Sequence, residues 1–253
     1  EGANMLSAPR PAEAVARELG TEPQAVVEAV ERAKRKLFDA RSERIWPGRD
    51  DKIITSWNGM ALRVLAEASH ALDRSDYLDA AKQNAAFLLG DLSPDGKLQH
   101  SYKDGAAKID AFLDDYANVI DGLIALYEAT FDMRWFDQAM CLANEMIARF
   151  ADESGTGFYD TAGTPDYLVA RPRDLQEGAT PSGNSVAADV LLKLHRFTGN
   201  EEWRRRGRAI LEMMAEPVPS QPLGFGRYLS VAAVELATPR EVAIAGKLGD
   251  AGT

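Results

Sequence analysis

The amino-acid sequence predicts an all-α fold, an array of α/α hairpins closed wholly or in part into a toroid, with short β-excursions in its loops. The first observation is a pattern that occurs three times, in which two helix-period runs of apolar residues flank a short polar turn. The second is an aromatic anchor near the start of each second run, at Tyr77, Trp135 and Trp203, with spacings of 58 and 68 residues. Repeats of this kind are typical of stacked helical hairpins, each of which buries its apolar face against its neighbours.

The residues that precede the repeats predict one further helix. Residues 1 to about 20 contain two helix-breaking prolines and are expected to be irregular. Thr21 and Gln24 have the spacing of a capping box, and apolar residues at helical spacing follow them, so we expect a helix over about residues 22–40. The charged stretch 41–54 is expected to connect this helix to the first repeat.

Each repeat predicts a first helix, a second helix and a loop. The first helices are expected to begin near Ser56, Asp114 and Thr180, where a polar residue precedes an apolar stripe. The anchors lie in the second helices. The alternating residues from Leu98 to Tyr102 predict a short β-strand after the first repeat.

Three later segments complete the predicted organisation. Residues 160–180 form a long polar loop, of a length that is usually functional or disordered in a compact domain. Gly224 to Leu236 is expected to be the first helix of a fourth unit, and Glu241 to Gly246 a strand. We expect one toroid domain over residues 1–253. Because the chain opens on Glu1 and stops in mid-pattern, we expect a fragment of a longer protein, with residues 241–253 beginning a truncated C-terminal segment.

Composition excludes several classes of function. The net charge of −10 argues against a nucleic-acid partner, whose phosphates require a positive surface. No apolar run approaches the length of a membrane span, so no membrane partner is expected. The single cysteine, Cys141, lies in an apolar helix pattern and is expected to be buried; one cysteine allows no disulfide within the chain, which favours a reducing, cytoplasmic location.

The starts of the three first helices are the expected ligand-binding region. In a ring of hairpins, equivalent positions lie at equivalent depth, so these starts are expected to gather at one mouth with their free backbone N–H groups directed toward it. Such a mouth favours a polar, partly anionic ligand. For the Ser, Asp and Asn residues the ordinary role of a helix cap stays open, as does a core position for Trp57. The residues expected to bind the ligand are Trp57, Asn58, His100, Asp114, Tyr116, Arg171, Arg173, Ser182 and Asn184.

Carboxylates near this predicted mouth provide the expected chemistry. Hydrolysis of a glycoside requires one carboxyl group that protonates the leaving oxygen and a second that activates water or attacks. The expected catalytic residues are Asp51, Asp115 and Glu177, and Asp50 and Lys52 flank the first of them. The sequence gives no separation between any two carboxylates, so a role as exposed connector stays open for the stretch around Asp51.

No metal and no cofactor is expected. The three histidines, His70, His100 and His195, lack the spacing of metal ligands, and no second cysteine exists to pair with the first. The sequence also lacks a glycine-rich phosphate loop, and Gly183 to Ser185 lacks the glycine spacing of a nucleophile elbow.

Three motifs in order resemble one known family. They are RIWPGRDDKIITSWNGMAL, LDDYANVIDGLIALYEAT and GATPSGNSVAADVLLKL, and they resemble the thioredoxin-domain-containing family of YyaL and spermatogenesis-associated protein 20. The resemblance covers nearly the whole chain. It implies an (α/α)6 toroid, similar to those of N-acylglucosamine 2-epimerases and six-hairpin glycosidases, that follows a thioredoxin-like domain. This chain has no CxxC motif, so no redox function carries over to it.

Three hypotheses for function remain open, the third and weakest being an isolated fragment that has no activity because hairpins are missing from the ring. The first is a carbohydrate-binding or carbohydrate-modifying toroid, in which Trp57 and Tyr116 stack on sugar faces while Asp51 and Asp115 serve as acid and base. The second is a non-catalytic module that binds a ligand or a client protein and works with a thioredoxin-like domain elsewhere in the full-length protein.

Overall fold

The computed structural model describes residues 7–163, 170–238 and 242. The strand expected over Glu241 to Gly246 lies, except for Val242, outside the described residues. The chain separates into two compact units, residues 1–50 and 51–253, where the sequence led us to expect one domain.

The first unit is a pair of helices. Helix α1 spans Ala12–Leu19 and helix α2 spans Pro23–Ser42. The expectation that the first 20 residues are irregular was wrong. Pro11 lies just before α1, where its missing N–H costs nothing, and Gly20 ends the helix with a φ of 64°. The prolines therefore mark where a helix begins.

The second unit confirms the all-α prediction and the hairpin repeat. The first helices of the three hairpins are α3 (Thr55–Ala71), α5 (Leu113–Thr130) and α7 (Gly183–Thr198). The second helices are α4 (Ser75–Leu89), α6 (Met133–Phe150) and α8 (Glu201–Met214). Each aromatic anchor is the third residue of its second helix, which explains why the anchors mark the repeat. A final helix, α9 (Gly226–Leu236), corresponds to the predicted fourth first helix.

The first helices form an inner row. Helix α3 packs against α5, α5 against α7, and α7 against α9, while each second helix packs on its own first helix. Helix α5 lies in the middle of the row, and 13 of its 18 residues are buried. Its contact with α3 is close enough that a Cβ atom at Gly122 would lie 2.8 Å from the carbonyl oxygen of Gly59. The two backbones therefore touch where these helices meet.

A small antiparallel sheet lies beside the starts of α3 and α5. Strand β1 (Ile53–Ile54) pairs with β2 (Gln99–Lys103), and β2 pairs with β3 (Ala106–Asp110). Sequence alternation predicted β2 and missed β3. The turn between β2 and β3 is formed by Asp104 and Gly105, both with positive φ, as a two-residue hairpin requires.

The cysteine of the second unit lies on its surface. Cys141 is exposed rather than buried, because the buried face of α6 is formed by its neighbours Ala139, Leu142 and Ala143.

Within the part of the chain that the structure describes, none of the helices combines the length and apolar character that a membrane crossing requires.

Candidate functional site

The starts of α3, α5 and α7 lie next to one another. The backbone N–H of Ser56, in the first turn of α3, donates to Oδ1 of Asp115 in α5 at 2.9 Å. On the other side of α5, a Cβ atom at Gly183, the first residue of α7, would lie 3.0 Å from the side chain of Leu113. The inner helices therefore begin close to one another.

A polar pocket of about 270 Å³ opens between the starts of α5 and α7. Three carboxylates line it: Asp114 from α5, and Asp160 and Asp174 from the loop between α6 and α7. Ser182, the N-cap of α7, and Thr180 complete much of its wall. Of the residues that the sequence predicted for ligand binding, this pocket brings together Asp114 and Ser182.

Two carboxyl groups of the pocket, those of Asp160 and Asp114, have raised pKa values. The pKa of Asp160 is raised to about 6: burial and the charges of Asp174 and Asp114 raise it, while the backbone N–H of Asp174, which donates to Asp160 Oδ2 at 2.8 Å, and Arg173 oppose the rise. Burial, and then the charge of Asp115, raises the pKa of Asp114. The hydroxyl of Ser56 and the ring of His100 oppose this rise. The pocket therefore holds carboxyls with different surroundings.

Asp115 is a structural residue of this region. Its side chain is fully buried, and its oxygens accept from the backbone N–H groups of Ser56 and Phe112 and pair with Nδ1 of His100, each at 2.9 Å. The carboxylate thus ties α3, β2 and the start of α5 together. Asp115 is not among the residues that line the pocket; these contacts give it a positioning role, and its catalytic role stays a prediction.

His100 pairs with this buried carboxylate from strand β2. The hydrogen bond to Asp115 raises the pKa of His100 above its ordinary value, although burial opposes the shift. The ring also makes an edge contact with Phe112, with centroids 4.9 Å apart. The charge of Asp114 also raises the pKa of His100, although His100 does not line the acidic pocket.

Trp57 and Asn58 lie away from the pocket. They line an open groove of about 630 Å³ between α3 and α4, together with Leu65 and Phe87. The side chain of Trp57 is 61% exposed, which corrects the reading of Trp57 as a core aromatic. The amide of Asn58 donates to the carbonyl of Ile54 at 2.8 Å and closes the first turn of α3.

Tyr116 and Asn184 are fully buried. The hydroxyl of Tyr116 donates to Glu145 at 2.6 Å and accepts from Arg149 at 2.9 Å. The amide of Asn184 bonds both the N–H and the carbonyl of Phe158, at 2.9 and 3.0 Å. Stacking of Tyr116 on a sugar was therefore a wrong expectation, and Asn184 holds a loop in place.

Arg171 and Arg173 contact protein groups instead of a free ligand-binding surface. Their guanidinium groups lie 4.2 and 4.6 Å from the ring centroid of Tyr159. Arg171 also donates to the carbonyls of Thr161 and Arg149, and Arg173 pairs with Asp152 at 2.7 Å. Both side chains anchor the loop that carries Asp160 and Asp174.

The remaining two predicted acids also have protein partners. Glu177 accepts from the backbone N–H groups of Arg227 and Tyr228 at 2.7 and 3.0 Å, and so caps α9. Asp51 pairs with Lys103 of strand β2 at 2.8 Å. Neither residue lines the acidic pocket.

Sequence reasoning missed Asp160 and Asp174 because they lie in an irregular loop with no periodicity to place them. Asp114 and Ser182 each lie 21 residues before an anchor, and both line the pocket. Asp115, one residue further along, is fully buried, because successive helix residues differ by about 100° in direction.

An ionic cluster on the inner row was also missed. Asp121 is 5% exposed in its side chain and contacts Arg63, Lys193 and Arg227 at 3.1, 2.8 and 2.7 Å. Asp189 contacts the same Lys193 and Arg227. Burial alone would raise the pKa of Asp121, but the three cations hold that pKa below its ordinary value. The cluster joins α3, α5, α7 and α9 by charge.

No metal centre is formed by the described residues, among which no group of three or more His, Cys, Asp or Glu side chains is arranged to hold an ion.

The chain is similar to curated proteins over nearly all of its length. It is 29% identical over 257 residues to human spermatogenesis-associated protein 20, covering 97% of this chain and 33% of the human protein. The mouse protein of the same name is 30% identical, with 97% and 32% covered. The chain thus spans about a third of these relatives. No protein-family model matches it.

Two solved structures with a similar fold are of proteins whose names describe enzymes that act on sugars. The GH76 α-mannanase of Bacteroides thetaiotaomicron matches with a TM-score of 0.53 at 18% identity, over 65% of this chain and 44% of the mannanase. The cellobiose 2-epimerase of Spirochaeta thermophila matches with a TM-score of 0.51 at 20% identity, over 64% and 43%. At such identities the likeness shows the fold alone.

These findings confirm the resemblance that the sequence motifs carried. The chain is homologous, over nearly its whole length, to a segment of spermatogenesis-associated protein 20, and its hairpin array has the fold of the α/α toroids.

Proposed function

We propose that the hairpin array binds a carbohydrate in the acidic pocket between α5 and α7 and carries out acid–base chemistry on a glycosidic bond there. The observation that carries this proposal is the pairing of Asp114 and Asp160 in one pocket. The two carboxyls have different neighbours, and an acid and a base need surroundings that hold their pKa values apart. The sugar-related names of the structural neighbours support the substrate class.

Asp160 is the proton donor in this proposal. With a pKa raised to about 6, it keeps a larger protonated fraction near neutral pH than an ordinary aspartate. It donates its proton to the leaving glycosidic oxygen. Asp114 is the base in this proposal: the Ser56 hydroxyl and His100 favour its ionised form, although burial and the charge of Asp115 leave its pKa above the ordinary value. It activates water or stabilises the positive charge that develops on the sugar.

The test uses a panel of mannosides together with cellobiose. Calorimetric titration measures binding, and product analysis measures turnover. We expect Asp160→Asn to keep affinity and to lose turnover by about 100-fold or more, the usual contribution of a general acid. Asp114→Asn is expected to lose turnover as well. The matched control is Asp76→Asn, an exposed aspartate paired with Arg74 on α4, which should change neither quantity.

Two outcomes would contradict the proposal. One is the absence of binding by every sugar of the panel. The other is turnover that survives in Asp160→Asn and Asp114→Asn at the rate of the unmodified protein. Asp115→Asn is expected to weaken the fold itself, because Asp115 holds three elements together, and so it does not report on chemistry.

A further inference from the structure

Asp174 lines the acidic pocket but takes no part in the acid–base chemistry proposed there. Its backbone N–H donates to Oδ2 of Asp160 at 2.8 Å, and its backbone carbonyl accepts from the hydroxyl of Ser182 at 2.8 Å. In its side chain, Oδ1 accepts from the backbone N–H of Gln176 at 3.1 Å, and the residue is exposed. The backbone of Asp174 therefore holds the pocket wall together, while its carboxylate contributes charge.

Negative charge dominates the lining of this pocket. The charges of Asp174 and Asp114 both raise the pKa of Asp160, so the three carboxylates act on one another. The remaining described residues of the wall are uncharged: Gln176, Gly178, Thr180, Pro181, Ser182 and Gly183. No lysine, arginine or histidine is therefore among the lining residues that the structure describes.

The two arginines of the loop that carries Asp174 are engaged with protein groups. Arg173 pairs with Asp152 at 2.7 Å and lies against the ring of Tyr159. Arg171 lies against the same ring and donates to two backbone carbonyls. A phosphate or carboxylate on a ligand would have to displace these contacts in order to pair with either guanidinium group.

The start of α7 acts in the opposite direction to the carboxylates. Gly183, the first residue of α7, lines the pocket, and the N-terminus of a helix carries about half a positive elementary charge. Two or three ionised carboxylates exceed that half charge several times over, so the pocket attracts cations on balance. The expectation of a partly anionic ligand considered the helix starts alone.

We propose that the pocket selects a single sugar residue that carries a protonated amine, and that Asp174 determines this preference. The inference rests on the proposed function, in which the pocket binds a carbohydrate. A volume of about 270 Å³ lies just below the range of about 300–1,000 Å³ typical of pockets for drug-sized ligands, which suits one sugar ring. The carboxylate of Asp174 pairs with the ammonium group of the ligand, and the same charge repels a phosphorylated sugar.

The experiment is calorimetric titration of the 253-residue chain with methyl mannoside, mannosamine and mannose 6-phosphate. At low salt and about pH 6, where an amine is protonated, mannosamine should bind about 5-fold more tightly than methyl mannoside, and mannose 6-phosphate more weakly. Added salt should reduce these differences. An ammonium group beside Asp160 favours its ionised form, so mannosamine should also release protons on binding, which titrations in two buffers with different heats of ionisation detect.

Asp174→Asn is the decisive variant, because it removes the charge and keeps an acceptor for the N–H of Gln176. It should lower the preference for mannosamine over methyl mannoside by about 5-fold. The matched control is Asp76→Asn, which removes the same charge from α4 and should leave the preference unchanged. Thermal unfolding checks that both variants fold.

The outcomes separate this inference from the proposed function. Binding of all three ligands with equal affinity at low salt would overturn the inference and leave carbohydrate binding intact. A preference for mannosamine that persists at full strength in Asp174→Asn would overturn the role of Asp174. Absence of binding by every sugar would contradict the inference and the proposed function together.

Discussion

At the residue scale, two consecutive aspartates at the start of α5 have opposite surroundings. Asp115 is fully buried and satisfied by three partners, whereas Asp114 lines the pocket. The sequence placed both at a helix start, because an apolar stripe follows them. It could not decide which one faces the pocket, because that depends on the rotation of α5 relative to α3 and β2.

The raised pKa of Asp160 predicts a dependence of stability on pH. An unfolded aspartate has a pKa of about 4, and the folded value is about 6, so the folded protein binds the extra proton between these limits. Its contribution to the free energy of unfolding therefore falls as pH rises from about 4 to 6. Asp160→Asn removes the charge and keeps an acceptor for the N–H of Asp174. We expect it to stabilise the protein at neutral pH by about 1 kcal/mol, after allowance for solvent screening at this half-buried site.

Urea unfolding of Asp160→Asn and of the unmodified protein, at a series of pH values, checks this. The difference should shrink as pH falls and vanish below about 4, the pKa of an unfolded aspartate, where this position is uncharged in the folded and unfolded states of both proteins. An equal difference at all pH values would show that the effect comes from packing instead of charge.

At the element scale, Glu177 predicts the behaviour of α9. Its carboxylate accepts from the first N–H groups of that helix, which otherwise have no partner. Glu177→Ala should cost about 1 kcal/mol, the usual value for loss of a cap. Glu177→Gln keeps one acceptor oxygen and should cost less. Hydrogen exchange at Arg227 and Tyr228 should be faster in the alanine variant and unchanged at α5.

The close contact of α3 and α5 gives a second prediction at this scale. Gly122→Ala would place a methyl group 2.8 Å from the carbonyl oxygen of Gly59, so the helices must move apart. We expect a loss of about 1–3 kcal/mol, as in other overpacked sites. Gly48→Ala is the matched control, since nothing lies within 4 Å of its added carbon. Denaturant unfolding of both variants measures the difference, and equal stability would contradict the contact.

Elements with long apolar stripes were predictable and short ones were not. The first and second helices of each hairpin have enough turns for their period to show. Helix α1 has only eight residues, and the prolines before it favoured an irregular interpretation. Strand β3 is mostly exposed, so it has no apolar alternation, and only the Asp104–Gly105 turn points to it.

At the scale of the whole molecule, one buried aspartate links four helices. Asp121 contacts Arg63, Lys193 and Arg227, which lie on α3, α7 and α9. Removing it would leave three cations partly buried without this counter-charge. We expect Asp121→Ala to cost about 3–5 kcal/mol and to broaden the unfolding transition, because the inner row would separate in parts.

Calorimetry and denaturant unfolding measure this effect. The control is Asp76→Ala, which removes an exposed ion pair with Arg74 and should cost less than about 1 kcal/mol. A cost at Asp121 as small as that of the control would show that the cluster does not hold the row together.

The toroid class was predictable because the same hairpin pattern occurs three times in the sequence. The candidate site was predictable only in its helix half, Asp114 and Ser182. The other half, Asp160 and Asp174, is placed by the Arg171 and Arg173 contacts of its loop, and nothing in the local sequence encodes contacts between segments that fold far apart.

The ring of Tyr159, which lies against the guanidinium groups of Arg171 and Arg173, has a consequence for how the molecule responds to its medium. Dissolved salt weakens the mutual repulsion of neighbouring acids but acts little on flat groups in close contact. Moderate ionic strength should therefore lessen the repulsion among the pocket aspartates to the extent that water reaches them, while the contacts of Tyr159 that hold their loop stay formed.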